Sequence, residues 1–510
     1  MYKSILLLLW TLSPVAFSAG ATAPPESLKQ WSGLDALFSD FAVRENVPGA
    51  AWGVVVDGQL VHFGSHGRRQ LSADSPIGPD TVFRIASMTK SFTAVGILQL
   101  RDAGKLSLDD PVEKYLPELG ELPYPTTDSP RITLRQLLTH SGGFPEDNPW
   151  GDRQLDLPEE AFSELLRRGI PFSTTPGTDY EYSNVGFALL GRVISRVSGL
   201  DYADYVEQHI LTPLGMRSTT LEPASVPAAQ RTEGYRFEDG THSLEAQPAH
   251  GAFGAMGGML SSVEDLARYV GMFTAAYPAR DGEDTLPLSR ASLREMQQIW
   301  RARPAKVTLG VDGKTSLFSG GYGYGLRSWQ DCRFEHIAGH TGGLPGFGSQ
   351  MRWLPEYGIG LVAMGNRTYL SWSTVFDQAF AQLDEAGLLH RRLPRPAPAL
   401  IQARKDVEAL FESWDDALVQ RISADNLFPD RSLDTRRREF REAAELAGAC
   451  TPRQEFSRLP NALRGEWVLD CERADLLFSL TLAPTQPPLI QHLDVRALEN
   501  ESSLVMETCP

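Results

Sequence analysis

The period of apolar and polar positions changes along the chain, which predicts sheet segments on both sides of a long helical region. Residues 31–44 carry apolar side chains at helical spacing and predict an amphipathic helix. Two strands follow at 50–56 and 59–64, joined by Asp57-Gly58, a dipeptide suited to a type I′ turn. The chain therefore begins a sheet close to its start.

The middle of the chain, from about 106 to 221, is mainly helical with long connections. Capping boxes at Thr133–Gln136 and Ser261–Glu264 predict helix starts, and 185–193 predicts a buried helix. Four strand-like runs and a closing helix follow at 322–329, 333–338, 346–354, 358–364 and 375–388. Because the strands come from distant segments, we predict an α/β (α+β) fold, with an antiparallel sheet flanked by helices and a helical lobe.

A proline-rich segment at 393–400 predicts a linker between two domains. The chain of 510 residues exceeds what one hydrophobic core usually serves, so two domains are expected. The first domain would span 22–392. The second, 401–510, has two helical stripes and three strand-like runs, which predict a small accessory α+β domain.

Residues 1–21 have the pattern of an export signal. Lys3 supplies a positive start, an apolar stretch follows, and small residues allow cleavage after Ser18 or Ala21. No cysteine stands there to carry a lipid anchor, and no later stretch is apolar and long enough to cross a bilayer. We therefore predict an exported protein, periplasmic or secreted, with no integral membrane segment after signal removal.

The net charge limits the classes of binding partner, and the cysteine content indicates the cellular compartment. The net charge of −16, from 64 acidic and 48 basic residues, disfavours nucleic acid and anionic lipid as main partners. The four cysteines, Cys332, Cys450, Cys471 and Cys509, fit an oxidising compartment. If one disulfide exists, we expect Cys450–Cys471, because these residues are close in sequence within one small unit. All three full pairings of four cysteines stay open.

The candidate chemistry begins at Ser87-Met88-Thr89-Lys90, a Ser-x-x-Lys segment. The apolar run behind it predicts a helix buried almost all round, with Ser87 in its first turn and Lys90 one turn later on the same face. A poorly solvated lysine is pushed toward its neutral form, which can take the proton of a neighbouring serine. Taken alone, the segment fits equally well an N-cap serine and a lysine whose amine reaches solvent.

A second candidate element, Tyr182-Ser183-Asn184, stands before a predicted buried helix. A cation near Tyr182 would stabilise its phenolate, so the tyrosine could serve as general base to the serine and general acid to a leaving group. The Asn184 amide offers a donor and an acceptor for a substrate amide. These residues also fit a helix N-cap preceded by a packing tyrosine, which is the commoner occurrence.

The third element, Gly339-His340-Thr341-Gly342-Gly343, follows a predicted strand. Its glycines let a ligand lie against the backbone, and the N–H groups of Gly343 and Ser87 could form an oxyanion hole. A glycine-rich bulge is the alternative. His336 and His340 could share a strand face, but two histidines without a third ligand are weak grounds for a zinc site.

Together and in this order, the three elements resemble the motifs of the serine β-lactamase and penicillin-binding-protein superfamily. The form of the second and third elements, Tyr182-Ser183-Asn184 and His340-Thr341-Gly342, looks most like the class C branch. Two further stretches look like segments of that branch, at 137–143 and 257–262. The resemblance covers roughly 34–388 and implies a β-lactamase/transpeptidase-like fold for the first domain.

The resemblance also implies roles for these residues. Ser87 would be the nucleophile, with Lys90 and Tyr182 handling its proton. The backbone N–H groups of Ser87 and Gly343 would form the oxyanion hole. The residues expected to bind substrate are Asn184, His340, Thr341 and Gly342. The reaction would pass through a covalent acyl-enzyme and use neither a metal nor an organic cofactor.

Position 340 carries His where most β-lactamases carry Lys, and relatives with His there look more like DD-peptidases, D-amino-acid peptidases and esterases. A mostly neutral histidine holds the carboxylate of a penicillin less strongly than a fixed cation does. We therefore expect a small-molecule or peptide substrate, hydrolysis of esters or D-amino-acid peptides and amides, and slow or absent β-lactam turnover. The alternatives are a β-lactamase and a non-catalytic sensor or binding protein. The sequence has no Gly-x-Ser-x-Gly and no His-Glu-x-x-His, which disfavours α/β-hydrolases and zinc proteases.

Overall fold

The computed structural model describes residues 25–120, 122–309, 313 and 315–498. The predicted export signal at 1–21 and Cys509 lie outside the described residues. Within the described ranges, no helix combines the length and the apolar character needed to span a membrane.

The strands of the described residues are, in chain order, β1 Gly49–Val56, β2 Gln59–Gly67, β3 Phe83–Arg84, β4 Tyr235–Glu238, β5 Thr241–Leu244, β6 Leu260–Ser261, β7 Arg301–Ala302, β8 Lys306–Leu309, β9 Thr315–Tyr322, β10 Arg327–Gln330, β11 Ile337–Leu344, β12 Phe347–Leu354, β13 Ile359–Gly365, β14 Cys450–Pro452, β15 Arg458–Asn461, β16 Arg464–Cys471, β17 Leu476–Leu482 and β18 Ile490–Ala497.

The α-helices are α1 Pro25–Arg44, α2 Thr89–Asp102, α3 Leu134–Leu138, α4 Asn148–Gly151, α5 Glu159–Arg168, α6 Asn184–Ser198, α7 Tyr202–Val206, α8 Thr212–Leu214, α9 Gly254–Gly257, α10 Val263–Thr274, α11 Arg290–Met296, α12 Ser373–Glu385, α13 Pro398–Glu412, α14 Asp416–Ile422, α15 Leu427–Asp430 and α16 Leu433–Ala447. A short 3₁₀ turn, Ala86–Met88, leads directly into α2.

The main sheet is antiparallel and has the strand order β2-β1-β13-β12-β11-β10-β9-β7, with β8 paired to β9. Strand β1, near the start of the chain, pairs with β13, which ends at Gly365. This confirms the predicted sheet built from distant segments. The β1–β2 turn has positive φ at both Asp57 (51°) and Gly58 (77°), as a type I′ turn requires.

Apolar layers cover both faces of this sheet. On one face α1 and α12 pack around aromatic side chains that include Phe38, Trp52, Trp372 and Phe376. On the other face lie α10 and the helical lobe, and α2 runs through that core. Helix α2 is buried on almost every side, as its apolar run predicted. The first part of the chain is therefore an antiparallel sheet flanked by helices, as predicted.

Two strand predictions were wrong in their boundaries. The predicted run 322–329 is split between β9 and β10 by a turn in which Gly325 has a φ of 65°. A Cβ at Gly325 would stand 2.6 Å from the carbonyl oxygen of Lys90, so the turn packs closely on α2. The predicted run 333–338 is mostly a turn, because the Asp331 carboxylate accepts the N–H groups of residues 333 and 334. The strand begins only at Ile337.

One of the two capping predictions was correct, and the other was wrong by one residue. Thr133 and Gln136 form the predicted capping box at the start of α3. Helix α10 is capped one residue later than predicted, because the Ser262 hydroxyl, not that of Ser261, accepts the backbone N–H of Asp265.

The chain after 397 forms a second cluster of elements. Helices α13–α16 pack on a five-stranded sheet of order β14-β16-β17-β18, with β15 paired to β16, around a core that includes Phe440, Trp467 and Phe478. Helix α13 already begins at Pro398, so the last residues of the predicted linker are helical. A division into two domains stays our prediction.

A disulfide joins Cys450 and Cys471, which stand opposite each other on β14 and β16. This confirms the pairing expected from sequence. Cys332 is disulfide-bonded as well.

Candidate active site

Ser87 is held between α2 and strand β11. The residue before it, Ala86, has a φ of 49°, a conformation that non-glycine residues adopt at a conformational cost and that is common at functional sites. A Cβ at Gly342 would stand 2.2 Å from the carbonyl oxygen of Ile85, so β11 approaches the serine turn as closely as glycine allows. Ser87 is 8% exposed and thus just reaches the surface.

The Lys90 amine has no exposed surface and contacts three oxygen atoms. It donates to the Asn184 side-chain oxygen at 2.6 Å and to the Met256 carbonyl oxygen at 2.8 Å, and it lies 3.1 Å from the Ser87 hydroxyl oxygen. A neutral amine has two hydrogens and one lone pair. With the two carbonyl-type oxygens taking the hydrogens, the lone pair is left for the serine proton.

The charge state of Lys90 depends on its surroundings. Burial, helped by the charge of Arg327, lowers the pKa of Lys90 from 10.5 to about 7, although the Asp152 and Asp147 carboxylates oppose the change. The sequence predicted this direction, from the apolar run around the lysine. It did not predict the three charged neighbours.

The sequence predicted that a nearby cation stabilises the phenolate of Tyr182, and this prediction was wrong. Burial raises the pKa of its phenol well above the usual value, and a hydrogen bond with Ser87 only partly opposes that rise. The Lys90 amine lies over the face of the Tyr182 ring, 4.9 Å from its centre, and does not contact the hydroxyl. Desolvation therefore outweighs any cation effect, and Tyr182 is a neutral phenol beside Ser87.

Asn184 is the first residue of α6, and its amide is oriented from both sides. Its oxygen accepts from Lys90, and its nitrogen donates to the Asn148 side-chain oxygen at 3.1 Å. Ser183 is the N-cap, and the Asp147 carboxylate accepts the backbone N–H groups of residues 184 and 185 at 2.6 and 2.9 Å. This negative charge at a helix N-terminus is electrostatically favourable.

His140 joins the site although the sequence assigned it no role. Its Nδ1 accepts the backbone N–H of Ser183 at 3.1 Å, and its ring centre lies 4.1 Å from that of Tyr182. Burial lowers the pKa of His140 well below its usual value, so the ring is neutral. The His140 ring therefore packs against Tyr182 and holds the backbone at Ser183. The only signal in the sequence was its position in the stretch 137–143.

His340, predicted to bind substrate, directs both ring nitrogens at protein atoms. Its Nδ1 lies 2.6 Å from the Thr341 carbonyl oxygen and therefore donates, so its Nε2 accepts from the Tyr322 hydroxyl at 2.7 Å. Burial, Arg327 and Lys90 all lower the pKa of His340, which keeps the ring neutral. Thr341 and Gly343 are partly exposed, whereas Gly342 is buried against the serine turn.

The β11 segment from His340 to Leu344 has a strand partner on one side only. Strand β12 pairs with it throughout, whereas the pairing with β10 stops at Gly339, opposite Arg327. The Gly343 backbone, predicted to contribute to an oxyanion hole, belongs to this segment, which we call the open edge of β11.

Arg327, which the sequence did not single out, stands at the start of the open edge, opposite Gly339. Its Nε is buried and has no hydrogen-bond partner among the described residues. Its positive charge acts to lower the pKa of four site residues, Lys90, His140, Tyr182 and His340. Arg327 is therefore a cation that faces the site.

The described residues contain no group of three or more His, Cys, Asp or Glu side chains arranged to hold a metal ion. His336, the second histidine considered for zinc, has its Nε2 3.1 Å from the Gln297 carbonyl oxygen.

Comparison with known proteins places this geometry in context. The family model described as Beta-lactamase matches residues 34–384. Protein flp of Staphylococcus aureus strain MW2 is 25% identical over 336 residues, 65% of this chain and 62% of that protein. The chain thus spans less than two thirds of the flp proteins that it matches. The D-alanyl-D-alanine-carboxypeptidase/endopeptidase AmpH of Escherichia coli K12 is 28% identical over 325 residues, 62% of this chain and 79% of that protein.

Among solved structures, an octameric penicillin-binding protein homologue from Pyrococcus abyssi matches with a TM-score of 0.59 and 22% identity. The match covers 92% of this chain and 98% of that chain. At this identity the likeness concerns the fold, and it confirms the expected β-lactamase/transpeptidase-like fold.

The reactivity of Ser87 should follow the protonation of Lys90. Because only the neutral amine can take the serine proton, labelling by a neutral fluorophosphonate should rise about tenfold per pH unit below the Lys90 pKa of about 7 and level off above it. Lys90→Met should lower the labelling rate by roughly 10²- to 10⁴-fold. Lys105→Met, at an exposed position, is the matched control and should label like the wild type. A flat pH profile, or full labelling of Lys90→Met, would show that another group takes the proton.

Proposed function

The chain belongs to the β-lactamase family of serine hydrolases, and on that premise we propose that it forms an acyl-enzyme on Ser87 and acts mainly on D-amino-acid peptides, amides and esters. The observation that carries this proposal is the set of contacts around the Lys90 amine. Two oxygen atoms accept its hydrogens, and its third neighbour is the Ser87 hydroxyl.

In the proposed mechanism the Lys90 amine takes the proton of Ser87 while the serine oxygen attacks the substrate carbonyl carbon. The backbone N–H groups of Ser87 and Gly343 stabilise the oxyanion that develops. Tyr182, a neutral phenol beside Ser87, gives its proton to the leaving amine or alcohol. The Lys90 ammonium returns the serine proton to Tyr182 through solvent, because the amine does not contact the phenol directly. Water then releases the acyl group by the reverse route.

The proposed substrate lies along the open edge of β11. Asn184 and the Gly343 backbone bind the amide of the acyl part, and Thr341 and Arg327 bind the leaving part. His340 is neutral and both its nitrogens contact protein atoms, so its contribution is to shape the edge. The guanidinium of Arg327 supplies the charge that a terminal carboxylate needs. The name of the E. coli relative, a D-alanyl-D-alanine carboxypeptidase, supports this substrate class.

A β-lactamase is the second candidate, and one observation favours it. The charge of Arg327 could also hold the carboxylate of a β-lactam. We propose that such turnover is slow, because no cationic side chain stands at position 340 itself. A third possibility, a binding or sensor protein without turnover, would not need Ser87, Lys90 and Tyr182 to be held together.

We also propose that the protein acts outside the cytoplasm. The signal pattern at 1–21 and the Cys450–Cys471 disulfide support this location. N-terminal sequencing of the protein recovered from a periplasmic extract or culture medium should give a start at Ala19 or Thr22. A start at Met1 in the recovered protein would contradict export by cleavage.

Intact-mass spectrometry distinguishes the candidate functions. After incubation with p-nitrophenyl acetate, D-alanine p-nitroanilide or nitrocefin, the wild type should gain one acyl group, mapped to Ser87, and Ser87→Ala should gain none. Turnover should be faster with the ester or the amide than with nitrocefin. Nitrocefin turnover as fast as that of the best ester would favour the β-lactamase. The absence of acylation in both proteins would favour the binding protein.

Arg327 should govern the preference for a carboxylate on the leaving part. The wild type should hydrolyse D-alanyl-D-alanine with a higher kcat/KM than its C-terminal amide, and Arg327→Gln should reduce that ratio by roughly 10- to 100-fold, as expected for a charge-assisted hydrogen bond. Arg268→Gln, on the exposed side of α10 and in ion pairs with Glu264 and Asp265, is the control and should keep the ratio. An unchanged ratio in Arg327→Gln would remove Arg327 from substrate recognition.

A further inference from the structure

The buried carboxylate of Asp152 lies near the Gly343 end of the open edge of β11. Asp152 directly follows α4 and is 6% exposed. The nearby Tyr369 hydroxyl acts to lower the pKa of this carboxyl. The Tyr369 ring lies against Gly343, with one ring carbon 3.0 Å from where a Cβ of Gly343 would stand. Asp152 and Tyr369 therefore form a bridge from the helical lobe to the residue whose N–H is proposed to hold the oxyanion.

This carboxylate has no cation paired with it. None of the ion pairs among the described residues includes Asp152. The Lys90 amine attracts its charge but donates its hydrogen bonds to other oxygen atoms. The neighbouring acid Glu245, in contrast, has Arg153 and Arg236 within 3.7 and 3.9 Å. Burial raises the pKa of Asp152 to about 6, so it is still mostly charged at neutral pH. A buried charge of this kind is energetically unfavourable until a partner arrives.

The other acids near the site are already engaged. Both oxygens of Asp147 accept backbone N–H groups at the start of α6. Glu146 accepts the backbone N–H of Asn148 at 3.2 Å, and Glu181 accepts that of Glu146 at 3.1 Å. Asp152 is the buried one of these four acids, and its carboxylate has room for several hydrogen bonds. Asp152 is thus the buried carboxylate able to take a ligand.

The position of Asp152 indicates which part of the substrate it would contact. Asp152 and Tyr369 stand by Gly343, whereas Arg327 stands by Gly339, four residues earlier on β11. At roughly 3.3 Å per residue these points are about 13 Å apart, one at each end of the open edge. If the leaving part points toward Arg327, the acyl part of the substrate lies toward Asp152.

We infer that Asp152 binds a free ammonium group on the acyl part of the substrate, so that the enzyme prefers amides, esters and short peptides of D-amino acids with an unblocked amino terminus. This inference rests on the proposed function, since it narrows the substrate class of the same site. A substrate with an acylated nitrogen brings no charge to Asp152 and leaves the buried carboxylate without a partner.

The test compares D-alanine p-nitroanilide with N-acetyl-D-alanine p-nitroanilide. Each rate is divided by the rate at which the same variant is acylated at Ser87 by p-nitrophenyl acetate, which has no amine. The wild type should prefer the free amine by roughly 10- to 100-fold in kcat/KM, mainly through KM. Asp152→Asn should bring the preference close to one, and Asp152→Glu should restore part of it. Asp156→Asn, an exposed carboxylate four residues further along, should keep the wild-type preference.

Every outcome of this test is decisive. Equal use of the two anilides by the wild type, or an undiminished preference in Asp152→Asn, would overturn the role of Asp152. Acylation by the ester without hydrolysis of either anilide would overturn it as well and leave the serine mechanism intact. If the ester itself fails to acylate Ser87, the proposed function falls and this inference falls with it.

Discussion

The burial of the Lys90 amine is the constraint on which the rest of the site depends. An amine without exposed surface needs hydrogen-bond acceptors and compensating charges inside the protein. The three oxygen atoms around it come from separate segments, namely Ser87 before α2, Asn184 at the start of α6 and the Met256 carbonyl in α9. The packing that brings these segments together is also what lowers the pKa of the amine, so that stability and chemistry depend on the same contacts.

The charges around this amine come from two sides of the fold. The lobe contributes the Asp147 and Asp152 carboxylates, and the edge of the sheet contributes the Arg327 guanidinium. The aromatic groups between them, Tyr182 and His340 among them, are kept neutral by burial. The open edge of β11 thus runs from a positive end to a negative end past an uncharged middle. Such an arrangement suits a small substrate that carries both charges.

Local signals in the sequence were reliable where the neighbouring residues decide the structure. The turn at Asp57-Gly58 and the capping box at Thr133 follow from side chains a few positions apart, and both were predicted. The predicted strand at 322–329 was wrong, because the chain turns at Gly325. This turn packs against α2, which lies more than two hundred residues earlier in the sequence. Ser87, Lys90, Tyr182 and Asn184 were named because their motifs resemble those of a known family, and the fold brings their side chains together.

The sequence by itself determined the architecture of the sheet, the buried serine–lysine helix and the residue types available for chemistry, since hydrophobic period and residue order are properties of the chain. Only the tertiary structure decided which groups carry charge and which of them surround Ser87. Arg327 and Asp152 belong to no motif, and the neutrality of Tyr182 reverses what a nearby lysine suggested. The reason is physical: desolvation and Coulomb forces act through space, between residues whose separation along the chain says nothing about their distance.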